Sequence, residues 1–359
     1  MKLTLPQLLK AMLEHKASDM HVTSGSPPSF RIYGKITKIK ADTLVPSQTR
    51  ELCYSVLTDY QKALFEENKE LDFSFTIREL GRFRGNLFYQ RGSVAGAFRH
   101  IPFNVPPLAS LGLPPVVEQL VHKPKGLVLV TGAAGSGKTT TLASMINMLN
   151  QIKNMHIITI EDPIEYIYRH NRCLINQREV GNDTKSFAKA LRSALREDPN
   201  IVLVGEMRDK ETIETALMLA ETGQLVLSTL HTNSASQTIT RILNVFPAEQ
   251  QAQVRVQLSL VLEGIVTQSL LPRQNGAGRV LACEIMLPNP SIRNLIRENK
   301  LHQLPSAMQV GQENSGMITF NQYLIHLVQS GTVSVDAALE ATPDQEDLVK
   351  TLSELGRAA

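Results

Sequence analysis

The chain has 359 residues, of which 42% are apolar and 20% are charged, a composition typical of globular proteins with two folded units. Lysine and arginine (37 residues) nearly balance aspartate and glutamate (34 residues), and there is no block of consecutive basic residues, so a nucleic-acid partner is not expected. No apolar run reaches the ~18 residues of a membrane span, and the N-terminus reads as an amphipathic helix. We therefore expect a cytoplasmic protein without a transmembrane segment.

Residues 1–100 are predicted to form a small α+β domain. An opening helix is followed by short strands in SFRIYGKITKIK, a helical stretch from about Ser47 to Glu67, and two alternating runs, LDFSFTI and RFRGNLFYQRGSVAGAFRH. The next segment, IPFNVPPLASLGLPP, is rich in proline and resists regular structure. We therefore expect a linker over residues 101–117.

Residues 118–359 show a different pattern, in which short apolar runs alternate with amphipathic helical segments. The apolar runs are GLVLVT, HIITI, NIVLV and QLVLSTL, and segments such as KSFAKALRSALRED lie between them. Strands that are apolar on both sides are typical of a parallel sheet covered by helices on both faces. The sequence thus predicts an α/β domain with a mainly parallel sheet.

A phosphate-binding motif, GxxxxGK[ST], follows the run GLVLVT directly and precedes a helical segment. In this motif glycines allow close approach of the backbone to phosphate, the lysine reaches the β- and γ-phosphates, and the last hydroxyl binds Mg²⁺. The sequence therefore predicts binding of ATP and Mg²⁺, with Thr139 as a ligand of the metal. The predicted nucleotide-binding residues are Gly132, Ala133, Ala134, Gly135, Ser136, Gly137, Lys138, Thr139 and Thr140.

Polar residues also follow the other predicted strands. Glu161, Asp162 and Glu165 follow HIITI, Glu206 follows NIVLV, and His231 follows QLVLSTL. Because the carboxyl ends of parallel strands meet at one edge of a sheet, we expect these residues near the bound nucleotide.

Each of these residues has an expected role. Glu206 follows Gly205, where many such proteins have aspartate, and is predicted to hold Mg²⁺ partly through water. Glu165 is our choice for the carboxylate that orients the attacking water, with Glu161 and Asp162 as alternatives. His231 either bonds a buried carbonyl or senses the γ-phosphate.

The motifs GAAGSGKT, EDPIE, VGEMRD and LSTLHTNSA, in this order, resemble the Walker A, Asp box, Walker B and His box of the secretion ATPases that drive type II secretion and type IV pili. The resemblance covers nearly the whole chain. It implies a hexameric ring of RecA-like P-loop NTPase domains, each with a PAS-like N-terminal domain, at the cytoplasmic face of the inner membrane. Gln224 replaces a histidine often found in the family, which removes a titratable group there.

The segment SIRNLIRE resembles the AIRNLIRE segment of the pilus retraction ATPases, a branch of the same family. From the residues alone, an amphipathic surface helix that begins at Asn289-Pro290 accounts for the pattern. The resemblance adds a role in coupling hydrolysis to retraction. The segment consists of Ser291, Ile292, Arg293, Asn294, Leu295, Ile296, Arg297 and Glu298.

Arginines are dense in the first domain, and alternation puts Arg82 and Arg84 on the same side of a strand. A solvated strand face and an anion site are both compatible with this pattern. The resemblance implies that arginines of the small domain reach a nucleotide held by the neighbouring subunit. Arg82, Arg84 and Arg99 are the candidates.

Three functions are compatible with these motifs: pilus retraction, pilus extension or type II secretion, and nucleic-acid translocation. SIRNLIRE and the lack of a four-cysteine insertion favour retraction. The lack of tryptophan and only 5% aromatic residues disfavour translocation, which uses stacking side chains. The resemblance implies as partners a platform protein of the inner membrane and, besides identical subunits, a paralogous retraction ATPase.

Overall fold

The computed structural model describes residues 3–32, 35–101, 104–276, 278–310 and 312–358. The chain divides into two compact units: residues 1–104 with the segment 163–167, and residues 105–162 with 168–359. The division into residues 1–100, a linker over 101–117 and residues 118–359 stays a prediction. Pro102 and Phe103 of that linker lie outside the described residues.

The first unit contains a six-stranded antiparallel sheet. Its strands are β1 (Asp19–Val22), β2 (Ser29–Ile32), β3 (Lys35–Lys38), β4 (Glu70–Ile77), β5 (Gly81–Gln90) and β6 (Ser93–Ile101). Their order in the sheet is β3-β2-β1-β6-β5-β4. Strands β5 and β6 are joined by Arg91 and Gly92, both with positive φ, as a tight two-residue hairpin turn requires.

Three helices accompany this sheet: α1 (Leu5–Glu14), α2 (Pro46–Tyr54) and α3 (Asp59–Asn68). The helical stretch expected from about Ser47 to Glu67 is therefore two helices. The break has a local cause, because the hydroxyl of Thr58 accepts a hydrogen bond from the N–H of Gln61 at 3.2 Å and starts a new helix. Apolar residues of the helices and the sheet share one core.

The second unit contains a seven-stranded sheet. Its strands are β7 (Gly126–Thr131), β8 (His156–Glu161), β9 (Leu174–Glu179), β10 (Ile201–Val204), β11 (Leu225–Leu230), β12 (Leu262–Pro272) and β13 (Arg279–Met286). The order is β13-β12-β7-β11-β10-β8-β9, and every neighbouring pair is parallel except β12 and β13.

Helices flank this sheet along the chain. They are α4 (Val116–Val121), α5 (Lys138–Ile152), α6 (Phe187–Ala194), α7 (Lys210–Glu221), α8 (Ala235–Asn244), α9 (Ala248–Val261), α10 (Pro290–Arg297), α11 (Leu304–Gln309), α12 (Gln312–Ser315), α13 (Phe320–Gln329), α14 (Val335–Ala341) and α15 (Gln345–Ala358). Short 3₁₀ helices lie at Leu108–Leu111 and Leu301–Gln303. Within the described ranges, none of the helices combines the length and apolar composition needed to cross a bilayer.

Alternate residues of the central strands face two different cores. Leu127 and Leu129 of β7 belong to one apolar cluster, and Val128 and Val130 belong to another. The sheet is therefore covered on both faces, which explains why its strands are apolar throughout. The prediction of a mainly parallel α/β domain preceded by a small α+β domain is confirmed. All three cysteines of the chain, Cys53, Cys173 and Cys283, are buried.

Candidate functional site

The predicted phosphate-binding loop lies between β7 and α5. Gly132, Gly135 and Gly137 have φ values of 139°, 76° and 92°, a region that favours glycine. Gly137 caps α5 and has no side chain to cover the N–H groups of the first turn. These N–H groups and the positive end of the helix dipole favour an anion at the loop. Ala133, Ala134 and Gly135 are exposed, Thr139 and Thr140 are half-buried, and Ser136 is buried.

Gly132 has the least room of the loop glycines. A Cβ at this position would lie 2.2 Å from the carbonyl oxygen of Gln268 and 2.6 Å from Oγ of Ser136. The carbonyl belongs to β12 and cannot move aside without disturbing the sheet. Glycine is therefore required for the loop to lie this close to its neighbouring strand.

Lys138 is buried, and its amine lies over the loop. Nζ donates hydrogen bonds to the carbonyl oxygens of Gly132 and Ala133, both at 2.8 Å. The same atom lies 3.5 Å from Nδ1 of His231. The structure thus positions a positive charge between the loop and the residue that follows β11.

The strand order extends this arrangement to Glu206. Strand β11 lies beside β7, and β10 lies beside β11, so their carboxyl ends are neighbours. Nε2 of His231 lies 3.4 Å from Oε1 of Glu206, which follows β10. Lys138, His231 and Glu206 therefore form a continuous row of polar side chains along the carboxyl edge of the sheet.

Arg208 holds the other oxygen of Glu206, with a distance of 2.8 Å between Nη2 and Oε2. Burial raises the pKa of Glu206, but the hydrogen bond from Arg208 and the charges of His231 and Arg208 outweigh it and hold the pKa below its usual value. Glu206 is therefore negatively charged at neutral pH. Arg208 was missed in the sequence, although its place two residues after Glu206 in VGEMRD is a signal that could have identified it.

Gly205 directly follows β10 and lies close to β8. Its N–H donates to the carbonyl oxygen of Ile160 at 2.8 Å, and a Cβ would lie 3.2 Å from the same oxygen. There is little room for the aspartate often found at this position. Glu206 is therefore the acidic residue that follows β10.

The structure separates the three candidate carboxylates at and after the end of β8. Glu161 is buried, and its Oε1 accepts hydrogen bonds from the hydroxyl of Thr159 at 2.6 Å and from Nε2 of Gln177 at 3.2 Å. Asp162 is exposed. Glu165 lies in the segment 163–167, which packs with the first unit. Its assignment as the residue that orients water stays a prediction.

Two buried polar residues of β12 hold the loop and its helix from the other side. Oγ1 of Thr267 lies 2.9 Å from Oγ1 of Thr131, and Nε2 of Gln268 donates to Oγ1 of Thr141 at 2.8 Å. Both residues were missed in the sequence. The signal is the polar triplet TQS inside an apolar run, but only the strand order places it beside β7.

Gln224 lies at the opposite end of β11 from His231. Its carbonyl oxygen accepts a hydrogen bond from the N–H of Gly126 at 3.0 Å, at the beginning of β7. Gln224 and His231 lie on either side of β11, seven residue steps apart, which is about 23 Å at ~3.3 Å per step. The position where the family often has a second histidine therefore lies away from the phosphate-binding loop.

The segment SIRNLIRE forms most of α10. Oδ1 of Asn289 accepts a hydrogen bond from the N–H of Ile292 at 2.8 Å and caps the helix. Ile292 and Ile296 are fully buried, and Leu295 is half-buried against the same core. The apolar face expected from the periodicity is therefore the packed face of α10.

Arg293 turns inward from α10. Its guanidinium donates to the carbonyl oxygens of Ser259 at 2.7 Å and Leu260 at 3.1 Å, in the last turn of α9, and to Oε1 of Glu263 at 3.0 Å. These bonds satisfy carbonyls that a helix end leaves without partners. The exposed residues of the segment are Ser291, Asn294, Arg297 and Glu298.

The arginines of the first unit lie on its antiparallel sheet. Arg82 and Arg84 share one face of β5, and Arg99 of β6 lies directly opposite Arg84. Arg84 lies 3.7 Å from Asp72, whereas Arg99 donates to Asp19 at 2.8 Å through Nε. The side chains of Arg84 and Arg99 are 41% and 65% exposed, so both remain available for further contacts. Their action on a neighbouring subunit stays a prediction.

Comparisons with known proteins identify the family of this chain. Residues 112–338 match the family described as Type II/IV secretion system protein. A type IV pilus retraction ATPase of Pseudomonas aeruginosa, PilT, is 48% identical over 336 residues, which cover 94% of this chain and 97% of the relative. A twitching motility protein of Neisseria gonorrhoeae is 44% identical over 339 residues, which cover 93% of this chain and 90% of the relative.

A solved structure matches nearly the whole chain. The crystal structure of the pilus retraction motor PilT with bound ADP is similar with a TM-score of 0.92 and 53% sequence identity. The match covers 97% of this chain and 99% of that chain.

Proposed function

The chain belongs to the family of type II/IV secretion system proteins, and we propose that it is a motor ATPase that powers retraction of type IV pili. The main support is the match over nearly the full length of both chains to a protein described as a pilus retraction ATPase. The helix formed by SIRNLIRE supports the same direction of work. Pilus extension and type II secretion are the alternatives, and they would use the same chemistry.

ATP hydrolysis at the carboxyl edge of the parallel sheet is the proposed source of energy. The N–H groups of the loop and Lys138 bind the phosphates, and His231 senses the γ-phosphate from its place 3.5 Å from Lys138. Glu165 orients the attacking water. We expect Glu206→Ala and Glu165→Ala each to abolish hydrolysis while leaving much of the ATP affinity intact.

Mg²⁺ is the proposed cofactor, held by Thr139 in the first turn of α5 and, partly through water, by Glu206. Hydroxyl and carboxylate oxygens are suitable ligands for this metal. The lowered pKa of Glu206 supports the assignment, because the side chain stays anionic at neutral pH. When bound, the metal would supply positive charge that offsets the negative charge of the phosphates.

The motor is proposed to act as a homohexameric ring against the inner face of the inner membrane. In such a ring Arg82, Arg84 or Arg99 contributes positive charge to the nucleotide of the next subunit. Hydrolysis moves the two units of each subunit relative to each other, and the exposed side of α10 transmits this movement to the platform protein. A paralogous retraction ATPase is a further proposed partner.

Cells whose only copy of the gene carries Lys138→Ala test the direction of work. The variant removes the amine that binds phosphate, so we expect many surface pili and no twitching motility. Pili are counted by electron microscopy, and motility is scored on agar. Cells without pili would instead identify an extension motor.

Lys189→Ala is the matched control, because Lys189 is an exposed lysine of α6 far along the chain from the loop. These cells are expected to keep normal pili and normal motility. Loss of motility in the control would mean that the assay does not report on the nucleotide site.

A further inference from the structure

Glu284 lies near the nucleotide site, although no sequence motif includes it. It is located on β13 opposite Thr267 of β12, and Thr267 is opposite Thr131, the last residue of β7. Thr131 is in turn opposite Leu230, the residue before His231. Glu284 is therefore level with the start of the phosphate-binding loop, two strands away from it.

The carboxylate of Glu284 interacts with the first turns of two helices. Oε1 accepts a hydrogen bond from the N–H of Ala235, at the start of α8, at 2.7 Å. The N–H of Phe320, at the start of α13, adds a weaker favourable interaction. Burial raises the pKa of Glu284, and these two N–H groups oppose that effect. The pKa of Glu284 stays above its usual value, because burial has the larger effect.

Neither helix needs Glu284 as its ordinary cap. Oγ of Ser234 accepts a hydrogen bond from the N–H of Gln237 and caps α8. Thr319 caps α13 in the same way. The carboxylate therefore joins two helix starts that each already have a cap.

The segment between β11 and α8 carries His231, is short, and is held at both ends. It leaves β11 and reaches the carboxylate on β13, so it passes β7 and β12. The distance to be spanned is three strand spacings, about 14 Å, minus the reach of the Glu284 side chain. The five residue-to-residue steps from Leu230 to Ala235 can extend ~17 Å at most. The position of Ala235 therefore restricts where the imidazole of His231 can lie.

We propose that Glu284 is a positioning residue for His231, which it places by fixing the start of α8. This inference rests on the proposed ATPase function, because it assigns His231 to the nucleotide site.

The first test compares the steady-state ATPase activity of Glu284→Ala and Glu284→Gln in the full-length protein. We expect Glu284→Ala to lower kcat about tenfold with KM changed less than about twofold, because the phosphate-binding loop is untouched. Glu284→Gln keeps an acceptor oxygen and is expected to stay within about threefold of the wild type. Glu249→Ala, which removes an exposed carboxylate from the first turn of α9, is the control without effect.

A double-mutant cycle separates positioning from general destabilisation. If Glu284 acts through His231, Glu284→Ala changes kcat by less than about twofold in a His231→Ala background. An undiminished tenfold loss in that background would overturn the proposal.

Hydrogen exchange gives a result that does not depend on catalysis. In Glu284→Ala, peptides that contain the N–H of Ala235 are expected to exchange about tenfold faster than in the wild type. Unchanged exchange would overturn the proposal even if the wild type hydrolysed no ATP. Absence of hydrolysis in the wild type would overturn the proposed function instead.

Discussion

The glycines of the phosphate-binding loop differ in what surrounds them. Gly132 and Gly135 both have positive φ, so alanine would strain the backbone at either position. Only at Gly132 would a Cβ meet a backbone carbonyl, at 2.2 Å, whereas at Gly135 nothing lies within 4 Å of that point. A comparison of alanine substitutions at Gly132 and Gly135 therefore distinguishes the effect of backbone strain from the effect of the close approach to β12.

We expect Gly132→Ala to abolish nucleotide binding and Gly135→Ala to weaken it about 5- to 30-fold. The smaller effect corresponds to the roughly 1–2 kcal/mol that a left-handed conformation costs a residue with a Cβ. Titration with a fluorescent ADP analogue measures both affinities, and circular dichroism checks folding. Equal losses at the two positions would show that contact with β12 is not what selects glycine.

Arg208 sets the pH range in which Glu206 is charged. Its hydrogen bond and charge lower the pKa of Glu206, and burial acts in the opposite direction. Removing Arg208 therefore raises the pKa. We expect the acidic limb of kcat/KM for ATP hydrolysis to move to higher pH in Arg208→Ala.

The titration of ATP itself is common to both proteins, so it cancels in this comparison. Arg196→Ala, which removes an exposed arginine beyond the end of α6, is expected to keep the profile of the wild type. An acidic limb that stays in place in Arg208→Ala would mean that Glu206 does not control it.

The sequence identifies residues well when a motif fixes their spacing. The loop from Gly132 to Thr139 and the strand ends at Glu206 and His231 could be predicted because one covalent pattern or one apolar run specifies them. Gln268 and Glu284 could not be predicted in this way. Gln268 bonds to Thr141, which is more than a hundred positions away, and Glu284 bonds to the start of a helix elsewhere in the chain. Such contacts depend on strand order, which local patterns do not determine.

Helix α10 has two sides with different consequences. Arg293 joins it to the last turn of α9 and to Glu263, whereas Arg297 is exposed and donates to Asn294 within the same helix. A motif that looks uniform in sequence is thus divided into a packing side and an outer side. Only the outer side is available to a partner.

Substitution of the two arginines should separate stability from coupling. Arg293→Ala leaves helix-end carbonyls without a donor and is expected to lower the free energy of unfolding by about 1–3 kcal/mol. Arg297→Ala is expected to change it by less than about 0.5 kcal/mol, to hydrolyse ATP normally, and to impair retraction. Thermal unfolding, ATPase assays and twitching assays measure the three quantities. Normal twitching in Arg297→Ala would exclude a role for this side chain in coupling.

Elements are predicted from sequence most securely when they are long and strictly periodic. The apolar runs of β7, β10 and β11 could be placed because each is buried on both faces. The break between α2 and α3 was missed because Thr58 interrupts the helix through a side-chain cap, while the surrounding residues remain good helix formers. A local hydrogen bond there outweighs the helical pattern.

At the level of the whole molecule, the proposed ring makes each active site depend on two subunits. Subunits with Arg84→Ala keep their own loop, and subunits with Lys138→Ala keep their own Arg84. If Arg84 acts on the neighbour's nucleotide, mixed rings contain competent sites that neither pure ring has. We expect the mixture to hydrolyse ATP faster than the sum of the two pure proteins.

The same mixing experiment with Arg99→Ala distinguishes the two arginines. The side chain of Arg99 donates to Asp19 at 2.8 Å, whereas the side chain of Arg84 lies 3.7 Å from the carboxylate of Asp72 and is held less closely. We therefore expect Arg84 to show the larger recovery. Activity of pure Arg84→Ala rings at the wild-type level would exclude Arg84.

The burial of all three cysteines makes the native protein convenient for site-specific labelling. Burial raises the pKa of Cys53 to about 12 and raises those of Cys173 and Cys283 as well. Thiolate, the form that reacts with maleimide dyes, is therefore scarce at neutral pH, and the sulfur atoms are shielded from reagents. A cysteine introduced on the surface of each unit would carry the dye alone. Fluorescence energy transfer would then follow the proposed movement of the two units in a chain whose own thiols remain unreacted.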